Sequence, residues 1–298
     1  MCQIDYKGFD IHLYVSHYHA NYKPNHDIYL SHRVSHAFES ALWIKLASSA
    51  ADLTIYAGDF NSEPTSLPYK LLRAVTPLQD CWQETHAAGG DSDGGGETSE
   101  CGHNSYTVPS PGNHNGKGNR IDYVMYCAGP NIVARTTKCG LPMAHRVPGR
   151  SFSYSDHEGV EATIEVVRTQ DMVSNNTAVA YRRGNSRQDK PRRCEVVKEA
   201  MEVMDRALVA TQHYQARYLV ITIVAMVLLV LMFIPSFLVR ETSGWVFATV
   251  DLALFVPRFI VTVGLVIFFL MGTLFTKRER NAQVTCKKHL KLLLEEDR

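Results

Sequence analysis

Apolar and polar positions alternate with two periods in the first half of the chain and lose any period in two later stretches. Ile11-His-Leu-Tyr-Val-Ser16 alternates apolar with polar residues, the two-residue period of a strand. From Asp27 to Ala51, Ile28, Val34, Ala37, Phe38, Ala41, Leu42 and Ile44 recur at roughly helical spacing, with Asp27 placed to cap the helix. Leu53–Ala57 predicts a short strand running into Gly58-Asp59, and Ile121–Tyr126 and Val160–Val167 predict two more. Residues 86–119, with Gly89-Gly90 and Gly94-Gly95-Gly96, form a loop long enough to imply function or mobility. Strands interleaved with helices predict an α/β (α+β) domain built on a mixed sheet.

The later stretches are uniformly apolar. Tyr218–Val239 holds 22 residues without a charge, and Phe259–Thr276 holds 18. At 1.5 Å per residue a 22-residue helix is about 33 Å long, close to the thickness of a hydrocarbon core. The second span is expected from Leu252 or Phe259 to Phe275, with Asp251 and Arg258 near its start either snorkelling or pairing with each other. The expected organisation is a globular domain over 1–168, a polar linker over 169–193, a juxtamembrane helix over 194–217, spans at 218–239 and 252–275, and a basic tail over 276–298. Nine Lys/Arg lie in 181–217 and seven in 276–298, while the connecting turn has Arg240. By the positive-inside rule both flanks, and with them the globular domain, face the cytosol.

Overall charge adds little, since 31 Lys+Arg against 30 Asp+Glu gives a net charge of +1. That balance argues against a nucleic-acid partner, which calls for a basic face. The seven cysteines are scattered with no CxxC pair, so neither a disulfide framework nor a zinc motif is indicated and a reducing compartment is the simpler setting. The first ten residues are polar and make no signal peptide.

Candidate chemistry sits at predicted strand ends. In Gly58-Asp59-Phe60-Asn61 a carboxylate and an amide stand two residues apart, a spacing that puts both on one side of extended backbone to hold a phosphate, a water or a hydrated metal. In Ser155-Asp156-His157-Glu158 a carboxylate beside an imidazole can favour its charged form, provided the segment is a turn. In His17-Tyr18-His19 a histidine can protonate a leaving oxygen or stabilise phosphate charge. Each has a plainer reading, as an Asx turn, a structural Asp-His pair or a satisfied loop histidine.

The order H-x-H, GDFN, Arg120-Ile-Asp122-Tyr123 and SDH resembles the endonuclease/exonuclease/phosphatase superfamily. His17-Tyr-His-Ala-Asn-Tyr22, Asp27-Ile-Tyr-Leu30 and His32-Arg33, with Arg120–Val124 and Ser155–Glu158, is similar to the neutral sphingomyelinases, whose animal membrane-anchored members also carry a pair of C-terminal spans. The resemblance covers about residues 8–168 and, by arrangement, 218–275. It implies the C-terminal part of a four-layer sandwich followed by a two-helix membrane hairpin, and Mg2+-dependent cleavage of sphingomyelin to ceramide and phosphocholine. It also implies His157 as general base, Asp156 orienting its ring, and Asp59 positioning water or supporting the base. Asn61 would bind phosphate or a metal-bound water, and His17 would stabilise charge and help protonate the leaving oxygen. Arg120 and Asp122 would be a supporting pair at the substrate.

The resemblance also implies two upstream strands carrying an Asn and a metal-binding Glu. Neither has a counterpart here, since Asp5 and Asp10 lie in a short lead segment. The metal ligands are therefore unassigned, a weak magnesium site is expected, and the sequence is expected to be an N-terminally incomplete form. The alternatives are a phosphodiesterase acting on a lysophospholipid or nucleic acid, and a non-catalytic membrane-anchored module.

Overall fold

Lys7 and Gly8 take positive φ of 53° and 77°, the pair of left-handed residues that a type I′ hairpin turn requires. They fold β1 (Cys2–Tyr6) back on β2 (Phe9–His17) as an antiparallel pair. The computed structural model describes residues 1–22, 27–86, 95–108, 118–173, 190–241 and 244–296. Contacts divide the chain into two units, Met1–Ala200 with Leu292–Arg298, and Met201–Lys291.

In the first unit β2 runs parallel to β3 (Leu53–Asp59), and β3 pairs antiparallel with β5 (Asp122–Ala128). The two-residue β4 (Gln79–Asp80) completes a five-stranded mixed sheet of order β1-β2-β3-β5-β4. A second sheet pairs β6 (Ile132–Gly140) with β7 (Glu161–Arg168), antiparallel. Alternation along each strand separates two faces. Leu53 and Tyr126, with the half-buried Ile11, Ile55 and Val124, pack toward Ala134, Ala162, Ile164 and Val166 of the second sheet, with Cys81 and Cys139 in the same cluster. On the other face Tyr56 reaches α1 (Leu30–Ala47), where its hydroxyl donates to Ser40 Oγ at 2.8 Å. The α1 residues Val34, Ala37, Phe38, Ala41 and Ile44 are buried, as the helical spacing predicts. The mixed α/β sheet is thus as expected.

Two local readings change. The residue before α1 is Tyr29, with no side-chain cap. Asp27 instead accepts from the Tyr29 amide at 3.2 Å and pairs with the Arg33 guanidinium, an Asx turn tied to the helix one turn on. The hairpin strand β1 was not anticipated. All five of its residues are exposed, so it carries no burial pattern to read. Of the expected linker, 174–189 lies outside the described residues, and its ends are helical, in α4 (Thr169–Val173) and the start of α5 (Lys190–Leu231). Residues 87–94 and 109–117 of the expected loop also lie outside them.

At the β4 edge of the sheet, Asp80 ties several elements together. Its carboxylate accepts from Tyr69 Oη at 2.7 Å on α2 (Leu67–Val75) and from the Trp82 and Gln83 amides, which caps α3 (Cys81–His86). Arg120 Nη1 lies 2.9 Å from Asp80 Oδ2, and the two side chains are only 9% and 1% exposed. The guanidinium also stacks over the Tyr123 ring, 4.8 Å from its centroid.

The second unit holds the rest of α5, the short α6 (Ile234–Leu238) with Pro235, α7 (Gly244–Leu270), a π turn over Met271–Phe275, and α8 (Thr276–Glu296) as far as Lys291. The expected basic tail is thus helical to Glu296. Two helical stretches, Arg192–Leu238 and Gly244–Glu296, are long and apolar enough to cross a membrane. Val220, Ile223, Phe237, Phe259 and Ile260 are among their exposed apolar side chains. Asp251 and Arg258 pair, at 2.6 Å. Ser236 Oγ donates to Asp251 Oδ1 at 3.0 Å, and Arg258 Nη2 donates to the Met232 carbonyl at 2.9 Å, where α5 has just ended.

Two substitutions test the packing of the first unit. Asp80→Ala removes the helix cap and strands a buried guanidinium, a change expected to cost about 3–5 kcal/mol. At Gly58, φ is +133° and a Cβ would stand 2.0 Å from the Ser16 carbonyl oxygen, so Gly58→Ala should cost ~2–4 kcal/mol through strain and overpacking. Urea midpoints read by tryptophan fluorescence in detergent should fall for both, and an unchanged midpoint would contradict the geometry.

Candidate active site

Strand register builds the site. His17 of β2 lies opposite Asp59 of β3, and Asp59 lies opposite Asp122 of β5. Because neighbours in register point to the same face of a sheet, these three side chains form one row across three strands. The row stands on the face that packs toward β6 and β7, at the end of β3. Gly58, lacking a Cβ, lets β3 approach the Ser16 carbonyl one residue before the row.

His17 Nε2 stands 3.3 Å from Asp59 Oδ2, with the His17 side chain 73% exposed and Asp59 16%. The Asp59 Oδ1 oxygen accepts from the Asn61 amide at 2.7 Å, and Asn61 Nδ2 donates to Asp59 Oδ2 at 3.0 Å and to the Tyr18 carbonyl at 2.9 Å. Asn61 has φ of +45°. The two residues are therefore brought together by a tight Asx turn and not, as the i, i+2 reading assumed, by extended backbone. Between them Phe60 is buried and stacks on Tyr18, Tyr56 and Tyr123, at centroid distances of 5.0, 4.8 and 5.1 Å. That aromatic anchor fixes the turn.

His157 reaches the row from the segment before β7. Ser155–Glu158 lies outside any strand, in the turn that the sequence reading required. The orienting carboxylate is not the expected one. His157 Nδ1 lies 2.8 Å from Asp122 Oδ2, whereas Asp156 is exposed and accepts from Ser155 Oγ at 3.1 Å. Sequence neighbours in this turn point apart, and the partner comes from β5 instead. Of the expected supporting pair, Asp122 stands in the row, whereas Arg120 is committed to Asp80 of β4. His19 turns aside to stack on Tyr29 at 4.0 Å.

Thr98 and Asn104 were not anticipated, since neither belongs to a recognisable motif. Thr98 Oγ1 accepts from the Ile121 and Asp122 amides at 3.2 and 3.1 Å, and the Thr98 carbonyl accepts from the Glu158 amide at 2.7 Å. One residue thus ties Asp122 to the turn that carries His157. Asn104 Nδ2 donates to the Ser155 carbonyl at 2.9 Å, holding that turn from the other side.

The electrostatics follow from this packing. Burial pushes the Asp59 carboxyl above its ordinary value, the Asn61 amide opposes that shift, and the facing charge of Asp122 adds to it. The hydrogen bond to Asp122 raises the His157 imidazole, against partial burial. Since a carboxylate only accepts, Nδ1 of His157 carries the proton in this pair, leaving Nε2 to exchange one. Potential ligand atoms of Asp59, Asp122 and His157 lie within 4.8 Å of one another. The cationic partners of the two carboxylates among the described residues are histidines. Two facing carboxylates without a lysine or arginine suit an added cation, and their oxygens suit a hard one.

Residues 4–157 match the Endonuclease/Exonuclease/phosphatase family. A Drosophila melanogaster protein provisionally named a neutral sphingomyelinase is 36% identical over 170 residues, covering 57% of this chain and 36% of its own length. Human sphingomyelin phosphodiesterase 2 is 36% identical over 163 residues, 53% of this chain and 37% of its own. The inositol phosphosphingolipids phospholipase C of Schizosaccharomyces pombe is 28% identical over 189 residues, 58% and 44%. The chain thus spans somewhat over a third of the length of the first two. The matched segment contains β2, β3 and β5 and ends on His157, the residue that closes the row. With the row built from that segment, the chain belongs to the endonuclease/exonuclease/phosphatase family.

Proposed function

We propose that the chain carries the hydrolytic centre of a sphingomyelin phosphodiesterase, which releases ceramide and phosphocholine. The observation that carries this reading is the His157–Asp122 pair set against the His17–Asp59–Asn61 row. His157 Nε2 takes a proton from the attacking water, and Asp122 holds the ring and offsets the charge it gains. Asp59 orients that water. His17, the most exposed group of the row, protonates the departing ceramide oxygen or stabilises its charge. Asn61 contacts the phosphate.

A divalent cation, Mg2+ in this proposal, would be held by the facing carboxylates of Asp59 and Asp122. When bound it would offset charge on the phosphoryl oxygens. Two protein oxygens make a weak site, in keeping with a hard cation that retains most of its water.

The substrate class rests on the relatives named for sphingomyelin or for inositol phosphosphingolipids. The two apolar helices support it, since they would hold the site beside the lipid. In the proposed topology they form a hairpin with both basic flanks, and the catalytic domain, on the cytosolic side. No nucleic-acid partner enters the proposal, because the chain has no net basic excess.

Phosphocholine release from sphingomyelin in mixed micelles with Mg2+ tests the reading. His157→Ala should lower the rate by about 10²–10⁴-fold. Equal release by the variant would remove His157 from the role of base.

The base works neutral, so kcat/KM should fall as pH drops through the His157 pKa. That pKa lies above its ordinary 6.5 because of Asp122. Asp122→Asn removes the main cause of the rise, so the acid limb should move to lower pH and the plateau rate should fall. A pH–rate profile of this variant that keeps the wild-type acid limb would show that Asp122 does not tune the base.

A further inference from the structure

Behind the catalytic turn lies a second group of ligating side chains that the proposed reaction does not use. Cys101, His103 and Glu158 each offer an atom, all within 4.8 Å of one another. Cys101 is 4% exposed, and the Glu158 side chain is 2% exposed. His103 is 56% exposed and stands at the mouth, its Nε2 3.2 Å from Glu158 Oε1. We infer that Cys101, His103 and Glu158 form a binding site for a thiophilic divalent cation of the Zn2+ type, with the fourth position left to water.

The chemistry of the set selects the ion. Thiolate, imidazole and a single carboxylate suit zinc, whereas magnesium prefers oxygen alone. In a tetrahedral zinc site a nitrogen and an oxygen ligand are separated by about 3.3 Å, close to the 3.2 Å already found between His103 and Glu158. The buried carboxylate supplies a second, independent reason. Among the described residues Glu158 receives His103 and the Asn104 amide, whose Nδ2 donates to Oε1 at 2.9 Å. A carboxylate so far from solvent, with no lysine or arginine beside it among the described residues, is costly, and a bound dication removes that cost.

Supporting contacts are in place. Asn104 orients the carboxylate as an outer-shell partner does. Cys101 Sγ donates to the Glu97 carbonyl at 3.2 Å, which fixes the sulfur near the site. Burial, with the charges of Glu158 and Glu97, pushes the Cys101 thiol up to about 11. The metal must therefore displace the thiol proton to solvent, forming the metal–sulfur bond as the S–H bond breaks, and affinity should rise with pH. The exposed imidazole gives the ion its route in.

The site would act as a pin. Glu158 follows His157 directly, and its amide bonds the Thr98 carbonyl, while Cys101 and His103 lie on the segment that begins at Thr98. A metal bound here joins the 98–104 segment to the turn bearing the catalytic histidine. It touches neither Asp59 nor Asp122.

Cobalt(II) titration of the chelator-stripped full chain in detergent tests this. The wild type should give the near-ultraviolet thiolate-to-cobalt charge-transfer band and the intense visible bands of four-coordinate Co2+. Stoichiometric Zn2+ should abolish both, and excess Mg2+ should leave them. Cys101→Ser should lose the charge-transfer band, and Cys2→Ser should keep it. His103→Gln, at an exposed position that leaves the fold intact, should weaken Co2+ binding at least about tenfold. The inference is overturned if the band is absent in natively folded wild type, survives Cys101→Ser, or yields to Mg2+. Unchanged affinity in His103→Gln would overturn it as well.

Discussion

Sliding β3 by one residue against β2 would turn Asp59 to the α1 face and bring Gly58 level with His17. The site therefore depends on the strand register, which is held from both sides of the sheet. On one side the β6–β7 sheet covers Leu53, Ile55, Val124 and Tyr126. On the other, Tyr56 is hydrogen-bonded to α1 and stacked on Phe60. A one-residue slip would exchange these two sets of side chains between unlike environments. Gly58 adds a steric condition, because only a residue without a Cβ fits against the Ser16 carbonyl. Three catalytic candidates from three strands thus share one geometric determinant, and none of them needs a long flexible loop to reach its place.

The histidine that faces this row depends on a different kind of constraint. His157 lies in a turn with no strand register of its own, and its position is fixed by polar links. Asp122 holds the ring, Asn104 holds the Ser155 carbonyl, and Thr98 joins the turn to the backbone of Asp122. Side-chain to backbone bonds of this kind position an irregular segment where packing cannot. At the edge strand β4 the buried Asp80–Arg120 pair joins α2, α3 and the segment leading into β5. The row is set by a sheet and its partner by a hydrogen-bonded network, and the two halves of the site meet at Asp122.

Much of this was legible before any coordinates. Alternation marked β2, short strand-like runs marked β3, β5 and β7, helical spacing marked α1, and the uncharged runs marked the two long apolar helices. Asp59, Asn61, His17 and His157 were singled out, and they meet. What escaped was pairing. The Asp156–His157 adjacency is a property of the chain, whereas the Asp122–His157 contact joins residues 35 apart in sequence and depends on a strand pairing that a linear pattern does not specify. Arg120 next to Asp122 misled for the same reason, since its real partner lies 40 residues away. The exposed strand β1 left no signal because none of its residues is buried. Thr98 and Asn104 act through backbone groups, and such roles have no residue-type signature.

The Asp251–Arg258 pair also bears on how the apolar part reaches a bilayer. Arg258 donates to the Met232 carbonyl and to Ser236 Oγ, both on the preceding helical segments, while Asp251 accepts from that serine. Each apolar helix thus satisfies polar groups belonging to the other. Separated, the helix of Asp251 and Arg258 would keep its own ion pair but lose the Met232 and Ser236 partners, and the other would expose a carbonyl freed where α5 ends, a group disfavoured in hydrocarbon. For the membrane hairpin proposed above, entry as a preformed pair would avoid that penalty, so the two helices would not be interchangeable with independent anchors.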